Sequence, residues 1–251
     1  MKKIYKIFCI ITGLLILSGC ATTKKENPSK PLLLKNQQED SFKKTIRKTL
    51  ECHYLVYLPE GYEKSKDSFP MILFLHGSGE QGDDINLVAR HGPPALVEKG
   101  KKFPFIVISP QCPKDEDQWS NDVLIHLLDK VESQYRVDTT RVYLTGLSMG
   151  GDGTWSLAIA YPERFAAIAP ICGEGNTARI CRLKDVPVWA FHGLKDPVVP
   201  IGEEQDMVDS LKACGGDVKF TTYPNLGHNA WTVTYNNDTL YDWFLSHKKG
   251  K

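Results

Sequence analysis

The run Gly146-Leu-Ser148-Met-Gly150-Gly151 is where residue type and spacing together promise chemistry. It follows the apolar stretch Val142-Tyr-Leu-Thr145 and opens a helical pattern that runs on through Trp155. A serine flanked by glycines at such a junction sits on a sharp strand-to-helix turn, where small neighbours relieve backbone crowding. The turn lifts the Ser148 hydroxyl clear of a sheet. It also leaves the Met149 N–H free at a helix N-terminus, facing the place where negative charge develops. The chemistry this favours is attack of an activated hydroxyl on an acyl carbon. The match on both flanks sets the segment apart from a glycine-rich turn that happens to hold a serine.

From about residue 50 the chain alternates short β-rich runs with longer helical patterns. The runs are Leu55–Leu58, Met71–Leu75, Phe105–Ile108, Val142–Thr145, Ala166–Ala169, Val188–Phe191 and Val218–Tyr223. Met71–Leu75 is continuously apolar, as a strand covered on both faces is. Val123–Val131 is amphipathic, with Ser120 or Asn121 as its cap, and residues 149–160, 203–213 and 238–246 also read as helices. This alternation predicts an α/β fold: a mostly parallel, twisted sheet with helices on both faces and no second domain. In such sheets the site lies outside the carboxyl ends of the strands.

The strand–Gly-x-Ser-x-Gly–helix arrangement resembles the α/β-hydrolase superfamily, over roughly residues 50–247. That resemblance implies a triad in the chain order Ser, acid, His. Asp196, in His192-Gly-Leu-Lys-Asp-Pro-Val-Val-Pro200, follows the strand 188–191 and takes the acid position. Asp185 precedes that strand and belongs at the opposite end of the sheet. His228, in Gly227-His-Asn-Ala-Trp231, follows the strand 218–223 where the superfamily carries its base. His247 lies in a lysine-rich tail and reads as solvated, and His192 reads as part of a strand-end turn. The His76-Gly-Ser-Gly-Glu80 segment after strand 71–75 implies a second oxyanion donor at the Ser78 N–H, with Gly79 as the alternative, beside Met149. His76 itself reads as structural.

Trp231, three residues past the base, and Trp119, beyond strand 105–108, are candidates for substrate contact, with ordinary core packing as the alternative for each. Trp155 and Trp189 read as core. Gly77-Ser-Gly79-Glu-Gln-Gly82 also matches the dinucleotide-binding G-x-G-x-x-G. Asp83 and Asp84 follow directly, where a pyrophosphate needs a neutral or positive helix start. No metal and no organic cofactor is expected.

The composition, 41% apolar and 24% charged over 251 residues, is that of a globular chain. Its net charge of +1 includes three lysines in residues 1–19 and no acid there, so the remainder carries 1 − 3 = −2. Nucleic-acid binding, which needs a basic patch, is excluded. Lys2, Lys3 and Lys6 precede the apolar stretch Ile7–Leu17, too short to span a bilayer. The stretch ends in Leu17-Ser18-Gly19-Cys20, which resembles the bacterial lipobox. Residues 1–19 are therefore expected to be a removed signal, Cys20 a lipidated anchor in the cell envelope, residues 20–45 a tether, and residues 46–251 the catalytic domain. An ordinary secretory signal is the alternative. Of the other cysteines, Cys172 and Cys181 are the close pair for a bridge, with buried thiols as the alternative.

These features predict a serine carboxylesterase without a large lid. Similarity of Leu73–Gly82 and Gly227–Trp231 to feruloyl, acetyl-xylan and dienelactone-hydrolase-like esterases implies feruloyl or acetyl esters of plant polysaccharide as substrates. The alternatives are a serine peptidase of prolyl-oligopeptidase type, separable on prolyl-peptide anilides, and a non-catalytic binding protein, separable by fluorophosphonate labelling of Ser148.

Overall fold

A computed structural model describes residues 41–45 and 47–250. By contacts the chain divides into Met1–Arg47 and Lys48–Lys251, and the second unit carries every element named below. The expected signal, Cys20 and residues 20–40 of the tether lie outside the described residues. No helix among the described residues is long and apolar enough to cross a membrane.

Among the described residues, seven strands form one sheet: β1 (Tyr54–Tyr57), β2 (Phe69–Leu75), β3 (Ile106–Pro110), β4 (Val137–Leu147), β5 (Ala167–Ile171), β6 (Val188–Gly193) and β7 (Val218–Tyr223). Their spatial order is β1-β3-β2-β4-β5-β6-β7. Only the β1–β3 pair is antiparallel, with Tyr54 opposite Pro110. The remaining pairs are parallel. The helices are α1 (Gly92–Glu98), α2 (Asn121–Gln134), α3 (Met149–Ala160), α4 (Ile201–Ala213), α5 (Trp231–Tyr235) and α6 (Asp238–Ser246). Ser120 caps α2, its Oγ accepting from the Val123 N–H.

Side chains alternate across a strand, so a sheet covered on both faces needs two cores. In β2, Met71, Leu73 and Leu75 join one buried cluster with Leu124 and Leu128 of α2, Trp155 of α3 and Met207 of α4. Ile72 and Phe74 join the other, with Leu240, Tyr241 and Phe244 of α6. Each fully buried Leu, Ile or Phe contributes about 1.5–3 kcal/mol by transfer from water. The continuous apolar run of β2 is thus the mark of a central strand. Residues 172–187, between β5 and β6, hold one 3-10 turn, Thr177–Leu183, and no lid-sized insertion.

The bridge considered between Cys172 and Cys181 does not form. Cys181 pairs with Cys214. The turn carrying Cys181 packs on α4, whose C-terminal end presents Cys214. Cys172, directly after β5, belongs to the other buried cluster and is a free thiol.

Candidate active site

Ser148 occupies the single-residue junction between β4 and α3, at φ 52° and ψ −124°. A side chain at positive φ is strained, and here the surroundings hold it. Its N–H donates to the Ile171 carbonyl at 2.9 Å. Its carbonyl accepts from the N–H groups of Gly151 and Asp152, at 2.6 and 3.1 Å. The flanking glycines answer a lack of space. A Cβ on Gly146 would stand 2.2 Å from the Gly150 carbonyl oxygen, and one on Gly150 would stand 2.1 Å from that of Leu75.

His228 follows β7 and Asp196 follows β6, so both loops open at the same end of the sheet as Ser148. The Ser148 hydroxyl donates to His228 Nε2 at 2.9 Å. His228 Nδ1–H donates to Asp196 Oδ2 at 2.7 Å. The other Asp196 oxygen accepts the N–H groups of Val198 and Val199, at 2.9 and 3.1 Å. The Asp196 carboxylate is fully enclosed. Burial alone would raise its pKa, but the hydrogen bonds from His228, Val198 and Val199 bring it below the usual carboxylate value. An anion is therefore held behind the imidazole, in the tautomer that leaves Nε2 free to accept.

Ser78 and Met149 are the first residues of a 3-10 turn (Ser78–Glu80) and of α3. The first N–H groups of a helix have no partner within it, so both amides are available to an oxyanion. Gly77 brings the Ser78 turn against Ser148: a Cβ there would stand 3.5 Å from Ser148 Cβ. His76 fixes that turn from below. Its Nδ1–H donates to the Gly77 carbonyl at 2.6 Å, and its Nε2 accepts the Cys112 N–H at 3.0 Å. Burial pushes its pKa down to about 4, so it is a neutral strut.

Trp119 is buried beneath the same turn. It donates its Nε1–H to the His76 carbonyl at 3.2 Å and packs edge-on to that ring. It also borders a cavity of about 410 Å³ with Asp152, Gly153 and Glu174. Trp231, at the start of α5, stands edge-on to both His228 and His91. Trp155 and Trp189 are core residues, 0% and 4% exposed.

Three neighbours of the Ser148 site were not read as such from the sequence. His91 faces the far side of Trp231 and pairs with buried Glu80 at 3.7 Å, which ties the wall of the site to the Ser78 turn. His192 lies inside β6, fully buried. Its Nε2 is 3.3 Å from Asp196 Oδ2, and its Nδ1 is 3.0 Å from Glu204 Oε2. A signal for Glu204 exists: residues 204, 207, 208 and 211 form the buried stripe of α4, and an acid stands at the head of Met207, Val208 and Leu211. The donor atoms of Cys172, His192 and Asp196 lie within 4.8 Å of one another. The His192 nitrogens are already engaged by Glu204 and the Val199 carbonyl. Burial holds the Cys172 thiol far above its usual pKa. That donor set is occupied by protein partners and does not suit a metal.

The family model described as "Putative esterase" matches residues 49–213. A bifunctional acetylxylan esterase/xylanase of Neocallimastix patriciarum is 26% identical over 75% of this chain and 27% of its own length. "Probable feruloyl esterase C" of Aspergillus terreus is 26% identical over 63% of this chain and 60% of its own. The crystal structure of a thermostable esterase superimposes with a TM-score of 0.68 at 32% identity, covering 78% of this chain and 59% of that one. The chain thus spans less than two thirds of the length of each of these three proteins. The seven-stranded, mostly parallel sheet with helices on both faces is that of the α/β-hydrolases. By its family match, the chain belongs to the esterase family.

Proposed function

We propose that the protein is a carboxylic ester hydrolase that works through an acyl-enzyme on Ser148. The observation that carries this reading is the unbroken hydrogen-bond path from Asp196 through His228 to the Ser148 hydroxyl. His228 takes the hydroxyl proton as Ser148 Oγ attacks the ester carbonyl. The oxyanion rests on the N–H groups of Met149 and Ser78. His228 then protonates the departing alkoxide, and a water deprotonated by the same imidazole releases the acid. Asp196 stays ionised throughout and balances the imidazolium.

Feruloyl or acetyl esters of plant polysaccharide are the proposed substrates. Support comes from the names of the relatives, from the lack of a lid-sized insertion, and from the indole of Trp231 beside the base. Attachment to the bacterial cell envelope through a lipid on Cys20 is proposed from the lipobox-like sequence. The Cys181–Cys214 bridge supports an oxidising compartment.

The test is initial rates of the purified protein and of Ser148→Ala on p-nitrophenyl acetate and methyl ferulate. Loss of hydrolysis by at least about 10⁴-fold in the variant is expected. A variant at near-normal rate would remove Ser148 from the mechanism. Serine-dependent hydrolysis of the acetate alone would keep the esterase and discard the feruloyl substrate.

A further inference from the structure

Glu204 is the one acid on the buried stripe of α4, and it is fully enclosed. Its three partners come from three elements around the nucleophile. Oε1 accepts the Trp155 Nε1–H of α3 at 3.1 Å. Oε2 accepts the Gly173 N–H, just beyond β5, at 2.9 Å. Oε2 also meets His192 Nδ1 of β6 at 3.0 Å. A buried acid with this many directed partners costs desolvation that an apolar side chain at the same place would not. Its position makes sense through His192, whose far nitrogen reaches the carboxylate that serves His228.

We infer that Glu204 and His192 are a positioning pair for Asp196: together they hold the positively polarised edge of an imidazole against the carboxylate oxygen that receives His228, and so set how firmly His228 holds its proton. This rests on the Ser148–His228–Asp196 mechanism proposed above. His192 Nε2 lies 2.9 Å from the Val199 carbonyl, an acceptor only, so Nε2 must carry the hydrogen. Asp196 Oδ2 lies 3.3 Å from the same nitrogen, at ion-pair distance on the protonated edge of the ring. At Nδ1, a bare lone pair against a bare carboxylate would repel, so the pair retains one further proton, on Glu204 or on the imidazole. Both groups bear this out in direction. Burial raises Glu204, and for His192 the opposing effect of burial is overcome by Glu204 and the Val199 carbonyl.

The other titratable groups around the pair are few. Cys172, from the end of β5, is a neutral thiol donating to the His228 carbonyl at 3.3 Å. Asp196 and His228 are the triad members themselves. The remaining contacts are neutral: the donors Trp155 and Gly173 and the Val199 carbonyl. Beside His228 and the Val198 and Val199 amides, His192 is therefore the group that adds positive character at Asp196, and its removal leaves Asp196 more negative. His228 then holds its proton more tightly, and the acid limb of activity moves to higher pH.

The experiment is the pH profile of kcat/KM for the whole protein with Glu204→Gln, His192→Gln and the double substitution. Each single variant is expected to move the acid limb up by roughly half a pH unit. Each should lower kcat about tenfold while KM stays within about twofold, as loss of support behind a reacting group does. The double variant should lose no more than the worse single, because both act through one contact. Folded variants with the wild-type limb and kcat, or with additive losses, would reduce the pair to a structural tie and overturn the inference. Should a variant fail to fold, imidazole ¹⁵N resonances of the wild-type protein decide the matter. Protonated His192 Nε2 throughout pH 5–9 is expected, and an unprotonated Nε2 at pH 7 overturns it. The Ser148→Ala control keeps the two readings apart: activity independent of Ser148 removes the mechanism and leaves the resonance result standing.

Discussion

Trp231 stands edge-on to His228, their ring centroids 5.1 Å apart and their planes at 89°. The contact places an indole beside the imidazole while leaving its Nε2 to Ser148. Trp231 is also half-buried against His91, so it is braced on both sides. A braced aromatic wall favours a flat acyl group such as a ferulate, whose ring meets it at little entropic cost. Trp231→Ala is expected to lower kcat/KM about tenfold on methyl ferulate and less than about threefold on p-nitrophenyl acetate. Equal losses on the two esters would make Trp231 a support for His228 and nothing more.

The glycines of the Ser148 turn make a prediction about stability alone. A Cβ on Gly150 would stand 2.1 Å from the Leu75 carbonyl oxygen and 2.7 Å from that of His76, both backbone atoms that cannot swing away. A Cβ on Gly79, in the neighbouring turn, meets nothing within 4 Å. Gly150→Ala is therefore expected to cost at least about 1–3 kcal/mol in urea unfolding, with Gly79→Ala within about 0.5 kcal/mol of wild type. Similar values for both would show that the turn relaxes freely.

The strand-end places of Ser148, Asp196 and His228 were legible because each follows a β-rich run that is easy to see, and strand ends share one edge of a parallel sheet. The edges of elements were less so. β4 begins at Val137, five residues before its apolar run, because Asp138-Thr-Thr-Arg141 is extended but polar and half-exposed. α1 opens with Gly92-Pro-Pro and runs only seven residues, too short for a periodic pattern to declare itself. His192 looked like a turn residue because nothing local reveals that Glu204, on a helix twelve residues later, folds back onto its Nδ1. The same holds for Cys214, whose partner lies 33 residues away.

That distant pairing bears on stability. Closing a loop of 33 residues restricts the unfolded chain, worth roughly 3–4 kcal/mol in the chain-entropy account. Cys181→Ser and Cys214→Ser should each lower the unfolding free energy by that amount, and the double variant by no more than either. Adding dithiothreitol to the wild type should reproduce the loss. A wild type indifferent to reductant would show that the bridge adds nothing to the folded state. Cys172→Ala should leave this reductant sensitivity intact, since Cys172 is outside the bridge.

His76 connects pH to the integrity of the Ser78–Glu80 turn. Its side chain is fully buried, and its pKa falls from 6.5 to about 4, chiefly because burial disfavours the charged ring. Between those values the unfolded chain binds a proton that the folded chain refuses, so stability drops as pH falls from 6.5 towards 4. The full difference is about 3 kcal/mol. Glu204 and Asp152 act in the opposite sense, because burial raises both and the folded chain takes up their protons first. The wild-type curve alone therefore mixes two signs. The informative quantity is the difference from His76→Gln, whose amide can donate to the Gly77 carbonyl and accept from Cys112 without titrating. Urea unfolding of both proteins at pH 7 and pH 4.5 should show wild type losing about 2–3 kcal/mol more than the variant on acidification. Parallel losses would mean that His76 is protonated within the folded protein, and that the turn carrying Ser78 tolerates the charge.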